Sequence, residues 1–210
     1  TEITRANVAD LKGVWRARLD GSGVEPKYSG EAQPIVHDGV LYIVTGADDV
    51  FALDVETGAR LWTYRANLEQ TIDTVCCGWS SRGVAYGNGR IFLGRLDGGL
   101  VALDAKTGAA AWTVQAERWQ DGFSITNAPL YYDGLVITGF SGAELGVCGR
   151  VKAFNAENGE LVWTFYTIPA RGEPGNETWP QDNELWQHGG ATVWHTPAVD
   201  PELGLIYFST

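Results

Sequence analysis

The chain has 210 residues, 44 % of them hydrophobic and 20 % charged, a composition that excludes a disordered protein. No apolar run approaches the roughly eighteen residues of a membrane-spanning helix, and the first residues lack the layout of a signal peptide. Fifteen basic and twenty-six acidic residues give a formal charge of −11, which disfavours a nucleic-acid partner. The absence of methionine indicates a mature product or a piece of a longer protein.

Short strand-like segments recur along the chain. They are rich in β-branched, leucine and aromatic residues and begin at a glycine, which is typical of strands that follow a hairpin turn. These segments are residues 39–44, 89–93, 134–137 and 204–208. The regular spacing of such strands favours an all-β architecture, because no segment shows a sustained helical period.

A repeated motif follows the first three of these segments. The sequence ALDVETG at 52–58 recurs as ALDAKTG at 102–108 and as AFNAENG at 153–159. Each copy predicts a tight turn, because Asp or Asn can bond its own backbone and Gly supplies a positive φ. A Trp follows each copy, and a fourth Trp lies at the expected distance upstream; these are Trp15, Trp62, Trp112 and Trp163.

Periods of about 40 to 50 residues with four strands each are the sequence pattern of β-propeller blades. We therefore predict a β-propeller over residues 1–210, with repeats that end near the four tryptophans. About four blades fit into this length. A complete four-bladed ring remains an alternative, and we favour part of an eight-bladed ring.

Adjacent cysteines stand outside the repeat. The Cα atoms of Cys76 and Cys77 must lie about 3.8 Å apart, below the usual disulfide range, so a bridge between them would be strained. Two reduced thiols are the alternative. Arg82 follows five residues later and could bind a carboxylate with its donor fork or form a surface ion pair. Cys148 has no evident partner and is predicted to be a buried free thiol.

The sequence SGAE at residues 141–144 ends a predicted strand among small and apolar residues. The carboxylate of Glu144 would suit a hard cation such as Ca²⁺, and an unpaired charge there would be costly if buried. A solvated loop carboxylate is the alternative for Glu144, and an ordinary strand hydroxyl is the alternative for Thr126.

A glycine-rich run, GGATVW, ends at Trp194, which breaks the spacing of the repeat tryptophans. Docking between blades therefore explains Trp194 poorly. Glu31 lies three residues before a proline in the sequence SGEAQP. His188 and His195 are seven residues apart, which suits no common metal motif, so we expect them to line a pocket or lie on the surface.

Together, the repeats and these residues resemble the quinoprotein alcohol dehydrogenases, which use pyrroloquinoline quinone (PQQ). The resemblance implies a vicinal disulfide of Cys76 and Cys77 against one face of the cofactor and Trp194 against the other. It implies that Glu144 binds Ca²⁺ or a lanthanide. The residues that it implies for cofactor binding are Glu31, Cys76, Cys77, Arg82, Thr126, Ser141, Gly142, Ala143 and Trp194.

The activity that the resemblance implies is oxidation of an alcohol to an aldehyde or ketone, with electrons passed to a c-type cytochrome in the periplasm. The aspartate base of that family is expected beyond residue 210, so we expect the isolated segment to be inactive. The alternatives are a non-enzymatic propeller scaffold for protein partners and a PQQ-dependent sugar dehydrogenase. A non-enzymatic scaffold would not need the cysteine pair, Arg82, SGAE and Trp194 to occur together.

Overall fold

The computed structural model describes residues 2–19 and 28–210; residue 1 and residues 20–27 of the predicted domain lie outside the described part. The described residues form strands and short 3-10 helices. The strands are β1 Tyr28–Ser29, β2 Ile35–His37, β3 Val40–Val44, β4 Val50–Asp54, β5 Arg60–Tyr64, β6 Trp79–Ser80, β7 Ala85–Gly87, β8 Arg90–Gly94, β9 Gly99–Asp104, β10 Ala110–Gln115, β11 Leu130–Tyr132, β12 Leu135–Gly139, β13 Arg150–Asn155, β14 Leu161–Tyr166, β15 Ala198–Asp200 and β16 Leu205–Tyr207. The 3-10 helices are Val8–Asp10, Trp119–Asp121, Ala143–Leu145, Asn176–Thr178 and Leu185–His188. At three or four residues, these helices are far too short to cross a membrane.

Three four-stranded antiparallel sheets follow one another along the chain. Their strand orders are β2-β3-β4-β5, β7-β8-β9-β10 and β11-β12-β13-β14, and β15 pairs with β16 as two strands of a fourth unit. The strands predicted within residues 39–44, 89–93, 134–137 and 204–208 are confirmed as β3, β8, β12 and β16. This arrangement of consecutive four-stranded sheets is the predicted β-propeller.

The repeated turn forms as the sequence predicts. The Oδ1 atom of Asp54 accepts hydrogen bonds from the backbone N–H and the hydroxyl of Thr57, at 2.8 and 2.6 Å. Asp104 binds Thr107 in the same way, at 2.8 Å for both bonds. These bonds hold the carboxyls in their charged form and lower the pKa of Asp54 and of Asp104.

Three of the four repeat tryptophans, Trp15, Trp62 and Trp112, dock onto the turn of the following blade. The indole N–H of Trp62 donates to the carbonyl of Ala105 at 3.0 Å, and an ideal Cβ on Gly108 would come 2.5 Å from the Trp62 ring. Trp112 repeats this contact on the third blade, with its N–H 3.0 Å from the carbonyl of Ala156. Trp15 makes the same contact with the first blade, to the carbonyl of Val55 at 2.9 Å, so it belongs to the repeat as predicted.

The hydrophobic core lies between neighbouring blades, because successive side chains of a strand point to opposite faces. On β8, Ile91 belongs to a buried cluster shared with β4, whereas the adjacent Phe92 belongs to a second cluster shared with the third blade. Phe92 also stacks on Tyr131, with ring centroids 5.7 Å apart. Each central strand therefore stabilises two inter-blade contacts.

The segments that lead from one blade to the next cross the end of the second strand of the blade they leave. A glycine allows each crossing, because an ideal Cβ on Gly94 would lie 2.1 Å from the Ile125 side chain, and one on Gly139 would lie 2.1 Å from the Val193 carbonyl. These segments then run side by side, as shown by the bridge between Gln33 and Gly83. The arrangement brings residues from several blades together at one end of the sheets.

Candidate functional site

A cleft of about 310 Å³ lies at this end. The residues that line it are Glu31, Val75, Cys76, Cys77, Ser80, Arg82, Thr126, Ser141, Ala143, Glu144, Thr192 and Trp194. Nine of the ten residues proposed from the sequence are among them. They are separated by up to 163 positions in the chain, so the fold rather than local sequence brings them together.

The tenth residue, Gly142, does not line the cleft. It precedes the 3-10 helix Ala143–Leu145 with a φ of 127°, and an ideal Cβ there would lie 2.0 Å from the carbonyl oxygen of Gly122. Glycine is therefore needed at this position for the close approach of two backbone segments. A contact of Gly142 with a ligand stays a prediction.

Cys76 and Cys77 line the cleft as two free, exposed thiols. Their Sγ atoms are 2.9 Å apart, so the disulfide that the resemblance implies is not formed in this structure and stays a prediction. The pKa of Cys76 rises to about 11, because its thiol shares a hydrogen bond with Cys77, loses some solvation and lies beside the carboxylate of Glu144. The thiol pair and the proposed metal ligand are therefore neighbours.

Glu144 lies in the 3-10 helix that follows β12, and its side chain is exposed. Glu144 is exposed because the chain leaves the sheet after Gly139 and carries Glu144 into the open cleft, so its carboxylate is solvated; its role as a metal ligand stays a prediction. None of the ion pairs between described residues includes Glu144. Within the same residues, no group of three or more His, Cys, Asp or Glu side chains could hold a metal ion.

Arg82 links three parts of the cleft. Its Nη2 atom forms an ion pair with Oε2 of Glu31 at 3.1 Å, and its guanidinium lies 4.8 Å from the ring centroid of Trp194. Its Nη1 atom donates to the carbonyl of Thr126 at 3.3 Å. The guanidinium is thus oriented by a carboxylate, a carbonyl and an aromatic face, and it lies at the cleft as one half of an ion pair with Glu31.

Two hydroxyl residues lie on the wall between these groups. Thr126 is 4 % exposed, and its carbonyl also accepts the backbone N–H of Arg82 at 3.0 Å. The hydroxyl of Ser141 lies 2.9 Å from the hydroxyl of Ser124 and 3.0 Å from the Ser124 carbonyl. Ser141 is therefore held in place by a residue of the segment that also carries Thr126.

The segment that carries Trp194 is fixed against the third blade. Thr167 donates its hydroxyl to the Ala191 carbonyl at 2.7 Å, and Ala191 has a φ of 52°, which is unusual for a residue with a side chain. Asn127 is fully buried and donates to the carbonyls of Val193 and His195, at 3.4 and 3.3 Å. These bonds place the Trp194 ring, which is 38 % exposed, at the cleft.

The remaining predicted residues have clear positions. Cys148 is confirmed as a buried free thiol, and burial raises its pKa. His188 is exposed and outside the cleft, whereas His195 lines a second cavity of about 520 Å³ that shares Glu31 and Arg82 with the cleft.

Sequence reasoning missed Val75, Ser80 and Thr192 on the cleft wall, and it missed the buried Asn127 behind it. The position of Thr192 within the run that ends at Trp194 could have indicated it. No local pattern marks the other three residues, because their roles depend on contacts between distant segments.

An aromatic ring, a guanidinium and carboxylates around one cleft are typical of a ligand-binding site in a propeller. All 210 residues match the family described as "PQQ: Glucose/ethanol/alcohol dehydrogenase, beta-propeller domain". The chain belongs to this family.

Several known proteins are similar in sequence to this chain along nearly all of its length. The quinoprotein alcohol dehydrogenase PedH of Pseudomonas putida is 39 % identical, over 97 % of this chain and 36 % of its own length. A quinohemoprotein alcohol dehydrogenase of Comamonas testosteroni is 36 % identical, over 100 % of this chain and 30 % of its own length. The chain thus spans about a third of the length of these relatives.

Solved structures give the same result. The structure described as "Europium-containing methanol dehydrogenase" superimposes with a TM-score of 0.85 at 33 % identity, covering 98 % of this chain and 38 % of that one. The quinohemoprotein alcohol dehydrogenase ADHIIG of Pseudomonas putida HK5 superimposes with a TM-score of 0.81 at 39 % identity, covering 88 % of this chain and 29 % of that one.

Proposed function

We propose that this chain is the N-terminal part of the propeller of a PQQ- and metal-dependent dehydrogenase that oxidises an alcohol to an aldehyde or ketone. The observation that carries the proposal is the convergence of nine sequence-predicted residues from separate blades on one cleft. The names of the similar alcohol dehydrogenases support the same substrate class.

The residues of the cleft fit a flat, anionic quinone. The Trp194 ring offers an aromatic face, and Cys76 with Cys77 offers a compact second wall. The guanidinium of Arg82 can bind a carboxylate with two parallel hydrogen bonds, and Glu31 holds it in position. A ligand carboxylate bound there would replace water around Arg82. The ion pair with Arg82 and the stacking on Trp194 would then both orient the ligand.

When bound, PQQ supplies a quinone that accepts a hydride equivalent from the substrate carbon. The protein would bind and orient this group, and Thr126 and Ser141, whose residues line the cleft, would offer hydroxyls for polar contacts with it.

Glu144 is the proposed metal ligand. Its carboxylate faces the cleft without a cationic partner among the described residues, and oxygen donors are what Ca²⁺ and lanthanide ions prefer. One carboxylate is a small part of the six to eight ligands that Ca²⁺ takes. We infer that the cofactor and residues outside this chain supply the other donors.

A base must accept the hydroxyl proton of the substrate. The cleft has two carboxylates, Glu31 and Glu144, and the first is ion-paired while the second is assigned to the metal. We therefore place the catalytic base outside these 210 residues, and we expect the chain by itself to be inactive.

The proposed disulfide of Cys76 and Cys77 would require an oxidising compartment, which supports a periplasmic location. The proposed electron acceptor is a c-type cytochrome. A formal charge of −11 would favour association with a basic partner through long-range attraction.

The test is reconstitution of the full-length protein with PQQ and either Ca²⁺ or La³⁺, followed by dye-linked oxidation of primary alcohols, secondary alcohols and glucose. We expect alcohol oxidation that requires both additions, and loss of at least about a hundredfold in Glu144→Gln. Glu56→Gln, in an exposed turn of the first blade, is the matched control and should retain activity. Oxidation of glucose alone would establish the sugar dehydrogenase instead, and failure to bind PQQ would favour the scaffold.

A further inference from the structure

The turn that carries Glu144 ends at Gly146, whose carbonyl is not used by the bonds within the turn. The 3-10 helix Ala143–Leu145 is closed by two backbone bonds, from Leu145 N–H to the Gly142 carbonyl at 2.9 Å and from Gly146 N–H to the Ala143 carbonyl at 3.1 Å. Gly146 ends the helix with a φ of 73°. The carbonyl of Gly146 takes no part in these bonds, so it can accept a hydrogen bond from water or from a donor on another residue.

His188 supplies that donor. Its Nδ1 atom lies 2.8 Å from the Gly146 carbonyl oxygen, although the two residues are 42 positions apart. Because the carbonyl can only accept, Nδ1 carries the proton in this contact. The ring is otherwise exposed, and it does not line the cleft.

The contact of His188 continues as backbone pairing toward Trp194. Gly190 N–H donates to the Val147 carbonyl at 3.0 Å, and Gly149 N–H donates to the Gly190 carbonyl at 2.7 Å. An ideal Cβ on Gly190 would lie 3.3 Å from the Cβ of Ala143, so the two segments are also in close packing. The Glu144 turn and the segment that leads to Trp194 therefore form one hydrogen-bonded unit.

We propose that His188 is a positioning residue for the candidate site: its Nδ1–H holds the end of the Glu144 turn against the Trp194 segment and so fixes the metal carboxylate relative to the stacking indole. His188 contacts neither the proposed cofactor nor the proposed metal. The inference rests on the proposed function, because it assigns a purpose to the geometry of Glu144 and Trp194.

The proposed role requires only a hydrogen-bond donor at the position of Nδ1. The rest of the imidazole ring is not needed. Asparagine presents an amide nitrogen at the same distance along the side chain, whereas alanine removes the donor. His188→Asn is therefore expected to retain the contact and His188→Ala to lose it. His37→Ala is the matched control, because His37 is also a partly exposed histidine but lines a different groove, where it stacks on Tyr86 at 3.8 Å.

The first measurement is hydrogen exchange in the full-length protein without cofactor, followed by mass spectrometry of peptides that cover residues 141–149. One hydrogen bond to a backbone carbonyl corresponds to roughly a 3- to 10-fold change in an opening equilibrium. We expect exchange of the Leu145 and Gly146 amides to be faster by this factor in His188→Ala. His188→Asn and His37→Ala should match the unsubstituted protein in this segment.

The second measurement is the binding of Tb³⁺ in the presence of PQQ, detected by luminescence sensitised through nearby tryptophan. We expect His188→Ala to bind Tb³⁺ about 3- to 10-fold more weakly, and both other variants to bind within about twofold of the unsubstituted protein.

Three outcomes would overturn the proposal. Unchanged exchange and binding in His188→Ala would show that the contact carries no positioning, and equal losses in His188→Asn would show that the Nδ1 donor is not the cause. Faster exchange with unchanged Tb³⁺ binding would make His188 a purely structural residue. If the unsubstituted protein bound neither PQQ nor Tb³⁺, the proposed function would fail as well, whereas the exchange result alone would still report whether the contact exists.

Discussion

Asp48 is a buried carboxyl outside the candidate site. Its Oδ2 atom accepts the backbone N–H of Leu96 at 2.7 Å and so joins a turn of the first blade to the equivalent turn of the second. Its Oδ1 atom is buried without a hydrogen-bond partner among the described residues. Burial, followed by the charges of Asp97 and Asp49, raises the pKa of Asp48 well above 3.8, although the Leu96 bond and Arg95 oppose this shift.

This raised pKa predicts a pH dependence of stability. In the window between 3.8 and the raised value, the folded protein holds a proton that the unfolded chain releases, so the contribution of Asp48 to stability is lost as pH rises. Asp48→Asn stays neutral and should escape this loss. We therefore expect the difference in urea midpoint, Asp48→Asn minus the unsubstituted protein, to increase as the pH rises above about 4.

The control for this prediction is Asp104→Asn, because Asp104 is only partly buried and its pKa is lowered instead. Its contribution should be present above the unfolded pKa and disappear as pH falls, which is the opposite sign. A pH-independent difference between Asp48→Asn and the unsubstituted protein would show that Asp48 is not protonated in the folded state.

The docking of a tryptophan on a glycine is the main element-scale contact of the fold. Gly108 has a φ of 72° and lies against the Trp62 ring, whereas Gly89 has a φ of 73° with open space at the Cβ position. Alanine substitutions at the two glycines therefore distinguish two losses of stability. One comes from the left-handed backbone conformation and the other from the lost docking contact.

We expect Gly89→Ala to lower the free energy of unfolding by about 1 to 2 kcal/mol, since an alanine must adopt the left-handed conformation. Gly108→Ala should cost about 1 to 3 kcal/mol more, because its methyl group overlaps the Trp62 ring. Urea unfolding of the two variants measures the difference. Equal losses would mean that the indole does not pack on the turn as the structure shows.

The elements that could be predicted from the sequence are those with a local cause. The Asp-to-Thr turn, the glycine after it and the docking tryptophan recur with a nearly constant spacing, so each blade is recognisable from the sequence alone. The segment from Thr167 to Trp194 has no such repeat. Its path depends on close approaches at Gly139 and Gly149, which only the folded chain reveals.

The same distinction applies to the candidate site. Its residues were found because their motifs resemble those of a known family, and composition alone would not have connected Glu31 with Arg82 or Trp194. The sequence leaves the exposure of Glu144 open, because it depends on where the chain leaves the sheet after β12. Asn127 escaped notice because a buried amide has no sequence signature.

At the scale of the whole molecule, the cleft exists because successive blades place their connecting segments at one end. Glu31 precedes the first blade, Arg82 the second, Thr126 the third and Trp194 the fourth. Each contributes one wall or one charge, so the site depends on the correct stacking of every described blade. The tryptophan docking that stabilises the blades therefore also maintains the geometry of the cleft.

We propose that a flat quinone binds between Trp194 and the cysteine pair. The decisive measurement is the equilibrium affinity of the full-length protein for PQQ in the presence of Ca²⁺, determined by dialysis and absorbance for Trp194→Ala and Trp194→Phe. We expect Trp194→Ala to bind PQQ at least about tenfold more weakly, because aromatic stacking contributes on the order of 1 to 3 kcal/mol, and Trp194→Phe to remain within about threefold. Equal affinity of Trp194→Ala and the unsubstituted protein would contradict the claim.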